Sequence, residues 1–141
     1  MINEIVTSPN APEPVGAYPH ARRIGDFLFL SGVGPRQVGS EDIPGVTLSE
    51  SGEILGYDIE LQTRSALDNV ESVLKAAGLG LKHLADVSVF LTNMKDDFPT
   101  YNRVYAEYLS AYKPCRTTVE VVSLPTPIAI ELKCIAVFPT E

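Results

Sequence analysis

Apolar and polar positions along the chain alternate in two distinct periods, and each block of one period implies an element. Phe27-Leu28-Phe29-Leu30 is a short apolar run that reads as a buried strand, with Ile24-Gly25-Asp26 as the turn before it, so the chain opens with a hairpin. Pro9, Pro12 and Pro14 mark residues 1–14 as an extended arm ahead of it. From Ile59 onward, Ala66, Leu67, Val70, Val73, Leu74 and Ala77 recur at helical spacing. Asp58 suits an N-cap and Gly78 and Gly80 suit a stop, which predicts a long amphipathic helix over 58–78. Leu84 to Leu91 is β-branched and apolar and reads as a strand. Phe98, Tyr101, Val104, Tyr105, Tyr108, Leu109 and Tyr112 form a second helical stripe that Lys113-Pro114 closes. The segment 116–122 alternates, and Ile128, Ile130, Leu132, Cys134, Ala136 and Phe138 alternate with Ala129, Glu131, Lys133, Ile135 and Val137. Both read as strands, the second with one wholly apolar face.

Between the first strand and the first helix, residues 34–56 are rich in Gly, Pro and acids. They read as a long surface loop with a short strand near Val46-Thr47-Leu48, and a loop of that length is often functional. The order β-β-(β)-α-β-α-β-β predicts an α+β fold, a mixed β-sheet with two helices on one face. The helices cover only that face. Ala129, Ile135 and Val137 make the other face partly apolar, which favours contact with another subunit.

A length of 141 residues fits a single domain, residues 1–141, and the 45% hydrophobic fraction excludes a disordered chain. The net charge of −7 argues against nucleic acid as a partner. No apolar run approaches the roughly 20 residues of a membrane span, and the polar start lacks a signal-peptide core, so the expected location is cytoplasmic, away from membranes. Cys115 and Cys134 lack zinc spacing and read as two buried free thiols. No metal and no cofactor-binding loop is implied.

Arg116 and Glu120 share one face of a strand, about 13 Å apart at Cα. A guanidinium fork suits a carboxylate, and a half-buried glutamate can pass a proton to and from water. Together they are enough to hydrolyse a small carboxylate-bearing substrate; the plain alternative is a surface ion pair. Ser31-Gly32 ends a strand where a ligand could approach the backbone, or is simply a turn. His20, between Tyr18 and Arg22, is a candidate site histidine, whereas His83 sits in a turn and is expected to be solvated. Asn102 is an amide among apolar helical neighbours and needs partners, either in the loop near Asn93 or in a pocket.

The stretch YPHARRIGDFLFLSG, the residues Asp58 to Thr63, the Asn69 to Gly78 block, VSVFLTNMKDDFPTYNRVYAEY and the closing CRTTVEVVSLPTPIAIELKCIAV resemble the Rid, or YjgF, family of imine and enamine deaminases over residues 15–138. The resemblance implies a chorismate-mutase-like fold, a homotrimer whose sheets form a central barrel, active sites between subunits, and cofactor-free hydrolysis of a 2-imino acid to a 2-oxo acid and ammonia. It assigns the substrate carboxylate to Arg116 and the water to Glu120. Tyr18 and Asn102 would line the pocket, and the backbone of Ser31, Gly32 and Thr118 would lie near the imine. Pro19-His20 and Thr118 depart from the generic pattern, and YPHAR, SGVGPR and PCRTT are similar to the branch acting on 2-aminomuconate. Such a dicarboxylate needs a second cation, for which Arg36, Arg22 or Arg23, with His20, are candidates. A broad 2-imino acid deaminase and a non-catalytic carboxylate-binding regulator are the rival readings.

Overall fold

The computed structural model describes residues 1–140. Eight strands and two helices follow the order β1 (Asn3–Val6), β2 (Ala21–Ile24), β3 (Phe27–Leu30), β4 (Val46–Leu48), β5 (Ile54–Tyr57), α1 (Ile59–Ala76), β6 (Leu84–Leu91), α2 (Met94–Leu109), β7 (Cys115–Glu120) and β8 (Ile130–Val137), with one 3-10 turn at Leu81–His83. Six strands form one sheet in the order β1-β2-β3-β8-β6-β7. Its pairings are antiparallel except β6 with β7, the parallel pair that α2 connects. The expected mixed sheet and paired helices are therefore present.

Sheet polarity follows the alternation. Leu28, Leu30, Val87, Val89, Leu91, Ile130, Leu132, Cys134 and Ala136 are buried beneath the helices. Ala66, Leu67, Val70, Val73 and Leu74 of α1 and Tyr101, Val104, Tyr105 and Leu109 of α2 cover them. The Asp58 carboxylate accepts from the Leu61 N–H at 3.1 Å and so caps α1 as expected. On the opposite face, Ile5, Phe27, Phe29 and Val119 are exposed and Phe90, Ile135 and Val137 half-buried.

Several expectations are corrected. The arm is not simply extended, because residues 3–6 pair with β2 as an edge strand. The long loop holds a hairpin, β4 with β5, of which only β4 was legible. The second helix ends at Leu109, short of Tyr112, and Lys113 turns the chain at φ 50°. Ala129 is fully buried and does not belong to the open face. Cys115 is exposed on the sheet edge; Cys134 is buried, and both are free, separated by β6. Among the described residues, no helix is long and apolar enough to cross a membrane, and no group of three His, Cys, Asp or Glu side chains could hold a metal ion.

Candidate functional site

Beyond β3 the chain continues through Ser31 and Gly32 to Val33, which exchanges two backbone hydrogen bonds of 2.8 Å with Leu132. That bridge presses the turn onto β8. The Ser31 hydroxyl donates to the Pro19 carbonyl at 2.7 Å and fixes the turn from the other side. The next residues are tied to α1. Asn69 Nδ2 donates to the carbonyls of Gly34 (2.9 Å) and Arg36 (2.7 Å), and the Ser65 hydroxyl donates to that of Pro35 (2.8 Å). Tyr18, His20, Ser31, Gly32 and Arg36 thus line one cleft, together with Pro12.

Three of these side chains also hold the arm. His20 is buried; its Nδ1 accepts from the Ser8 N–H at 3.0 Å, which leaves the proton on Nε2 to donate to the Pro12 carbonyl at 2.8 Å. Arg36 Nη2 donates to the Glu13 carbonyl at 2.7 Å, and the Tyr18 hydroxyl accepts from the Val15 N–H at 3.2 Å. Both ring nitrogens of His20 are engaged within the chain, so the structure gives it a clasping role. Arg22 donates to Asn3 and lines the adjoining groove with Tyr18, Pro19 and His20, whereas Arg23 stacks on Phe138.

Glu131, which the sequence did not single out as a site residue, adjoins this cleft through Gly32. Alternation along β8 turns Glu131 to the face opposite the core, and its carboxyl lies directly on Gly32. Burial pushes that carboxyl above the usual carboxylate range, and the Arg36 guanidinium pulls it partly back. The available signal was one acid on a second face otherwise read for its apolar residues, at I-E-L.

The other candidates gather at the β7 edge. Arg116, Thr118 and Glu120 pair in register with Val87, Val89 and Leu91 and face α2. Arg116 Nη1 donates to Asn102 Oδ1 at 2.8 Å, and the hydroxyls of Thr118 and Tyr101 are 2.9 Å apart. Asn102 therefore holds Arg116 and does not brace Asn93, which caps α2 by accepting from the Asp96 N–H. Glu120 accepts from the Met94 N–H at 2.8 Å, in the first turn of α2, where an anion also complements the helix dipole. Neither the Arg116–Glu120 surface pair nor a free Glu120 is found: each is held by its own helix partner. His83 Nδ1 accepts from the Gly80 N–H.

Two groups result: Tyr18, Ser31, Gly32, Arg36 and Glu131 around β3 and β8, and Arg116, Thr118 and Asn102 between β7 and α2. Three strand spacings separate β3 from β7, about 14 Å, and Glu131 and Arg116 lie on opposite faces of the sheet. One chain does not bring them together.

The Endoribonuclease L-PSP family pattern matches residues 8–138. A RutC family protein of Pyrococcus horikoshii is 39% identical over 96% of this chain and 98% of its own. The 2-iminobutanoate/2-iminopropanoate deaminase of Dermatophagoides farinae is 30% identical over 94% of each chain. The crystal structure of Escherichia coli TdcF with bound serine superposes with a TM-score of 0.83 at 29% identity, covering 96% of this chain and 99% of that one. With these matches spanning nearly its whole length, the chain belongs to the endoribonuclease L-PSP family, which includes the RutC and Rid proteins.

Proposed function

We propose that this protein is a hydrolytic deaminase of 2-imino acids, working in clefts that two copies of the chain build together. The observation that carries the reading is the half-buried Glu131 carboxyl seated on the Ser31–Gly32 turn. A carboxyl held above its usual range by burial suits proton transfer near neutrality. Arg116 offers a guanidinium with no carboxylate partner among the described residues, the group a 2-imino acid needs for its carboxylate. The Dermatophagoides farinae relative is named for this reaction.

In the proposed reaction, Glu131 takes a proton from water as the water oxygen bonds to C2 of the protonated imine. The proton then passes to nitrogen, the C–N bond breaks as Glu131 takes the proton of the new hydroxyl, and a 2-oxo acid and ammonia leave, that last proton going to the ammonia as ammonium. Glu131 replaces Glu120 in this role because Glu120 is committed to the start of α2. The partly apolar open face of the sheet supports assembly, and a closed trimer would bury one such face of each chain.

Each half-cleft carries one guanidinium, Arg116 in one and Arg36 in the other. That pairing supports a substrate with two carboxylates, such as 2-aminomuconate, over the smallest imines. A global charge of −7 is no obstacle when two cations set the local field. Ammonia release is the test, from 2-aminomuconate and from 2-iminopropanoate, with wild type, Glu131→Gln, Arg116→Ala and Arg36→Ala. The reading expects Glu131→Gln to lose on the order of 10²-fold in turnover. It expects Arg36→Ala to raise KM for the dicarboxylate alone. Turnover by Glu131→Gln at the wild-type rate would remove Glu131 from the chemistry, and no ammonia from the wild type on either substrate would leave only a carboxylate-binding protein. Equal KM changes for both substrates would leave a broad 2-imino acid deaminase.

A further inference from the structure

Helical spacing places Phe98, Tyr101, Asn102 and Tyr105 on one stripe of α2, at i, i+3, i+4 and i+7, and that stripe faces Arg116. The guanidinium carbon lies 4.8 Å from the ring centroid of Tyr105, 5.5 Å from that of Tyr101 and 5.9 Å from that of Phe98. The rings brace each other, with centroids 5.7 Å apart for Phe98 and Tyr101 and 5.9 Å for Tyr101 and Tyr105. Tyr101 is fully buried and anchored through its hydroxyl to Thr118, on the same strand as Arg116. The Tyr105 hydroxyl is buried with no hydrogen-bond partner among the described residues, so its ring, not its hydroxyl, accounts for its place. Arg116 itself stays exposed at its outer side.

From this arrangement we infer that Phe98, Tyr101 and Tyr105 are positioning residues: an aromatic cradle that sets the plane of the Arg116 guanidinium and turns its free edge toward the substrate carboxylate. An arginine side chain on an exposed sheet edge would otherwise sample many rotamers and lose that freedom on binding. Rings within about 6 Å hold it by cation–π attraction, and Asn102 Oδ1 takes Nη1. The charge is then fixed in place before the substrate arrives.

The inference rests on the reading of Arg116 as the carboxylate seat, and the experiment separates the two. KM and kcat for a 2-imino acid, and the inhibition constant of pyruvate as a plain 2-oxo carboxylate, are measured for Tyr105→Phe, Tyr105→Leu, Phe98→Leu and Arg116→Ala. Thermal unfolding confirms that each variant is folded. The cradle requires Tyr105→Phe to stay within about twofold of wild type, since the ring is retained. Tyr105→Leu and Phe98→Leu should raise KM and the pyruvate constant on the order of 3- to 30-fold, with kcat changed much less. A merely structural loss would lower the active fraction and kcat and leave both constants alone. If Arg116→Ala raises KM while folded Tyr105→Leu and Phe98→Leu keep wild-type constants, the cradle is overturned and the carboxylate seat stands. If Tyr105→Leu does not fold, Phe98→Leu decides. An Arg116→Ala variant with unchanged KM overturns the seat itself, and the cradle with it.

Discussion

The Glu131 carboxyl rests on the backbone of Gly32: a β-carbon built on that glycine would lie 2.9 Å from both Cδ and Oε2 of Glu131. Any side chain at position 32 therefore displaces the carboxyl. The group that must move is the end of a side chain and not backbone, so the fold can accommodate the change while the site cannot. Gly32→Ala is expected to lower kcat for ammonia release by about 10- to 100-fold, in keeping with the cost of misplacing a reacting group by about 1 Å. Thermal unfolding should move by only a few degrees. A kcat at the wild-type level would show that the contact does not matter to the chemistry.

Glu131 should cost the fold stability at neutral pH. Burial raises its carboxyl above the ordinary 4.5, so only between the unfolded and the folded value does the folded state hold a proton that the unfolded chain has released, and above both the buried charge is a cost to the fold. The stability attached to that proton is fully present below about pH 4.5 and is lost as pH climbs through the raised value. Glu131→Gln keeps the shape without the charge. Its unfolding midpoint should exceed wild type at pH 7, and the gain should shrink on acidification toward pH 4. Asp97, also raised by burial, contributes in the same direction and is common to both proteins. A gain independent of pH would exclude the buried charge as its source.

Much of the architecture was legible because it depends on local periodicity. Leu84–Leu91 was bounded to the residue and Asp58 identified as a cap, since alternation and capping are written in adjacent residues. What escaped depends on pairing across the chain. The strand at Asn3–Val6 forms only because β2 offers it an edge, and β5 forms only against β4. The site shows the same division. Arg116 and Asn102 were each singled out by residue type, though not their hydrogen bond, whereas Glu120 and Glu131 are both acids on strands. Only tertiary register reveals that one caps a helix and the other lies on Gly32, 99 positions earlier in sequence by simple subtraction. His20 looked like a site residue by its neighbours, and its two nitrogens turn out to hold an arm 8 and 12 residues away.

The two cysteines should differ sharply toward thiol reagents. Cys115 is exposed at the start of the edge strand β7, whereas Cys134 lies under the helices and burial pushes its thiol up to about 12. Iodoacetamide at pH 8 should modify one thiol per folded chain in dilute, dissociated protein and two in guanidinium chloride, with mass spectrometry assigning the folded-state adduct to Cys115. Rapid native labelling of Cys134 would contradict the packing of β8 against the helices. Protection of Cys115 in the native protein, released on dilution, would place the β7 edge inside an interface.

Joint construction of the cleft leads to a test by complementation. Arg116→Ala removes the carboxylate seat from one half-site, and Glu131→Gln removes the proton carrier from the other. Each pure variant should be nearly inactive, because every cleft lacks one function. When the two variants are mixed as unfolded chains and refolded together, a cleft that pairs the intact Arg116 half of one chain with the intact Glu131 half of the other is complete. Random association makes about a quarter of the clefts complete, so close to that fraction of wild-type activity should return. Mixing the folded variants without exchange should restore none. A site contained within a single chain predicts no recovery under either protocol, because no chain in the mixture carries both groups. Failure to recover activity, with sedimentation showing normal mixed assemblies, would remove the shared cleft from the proposal and require the chain to bring Arg116 and Glu131 together across its own sheet.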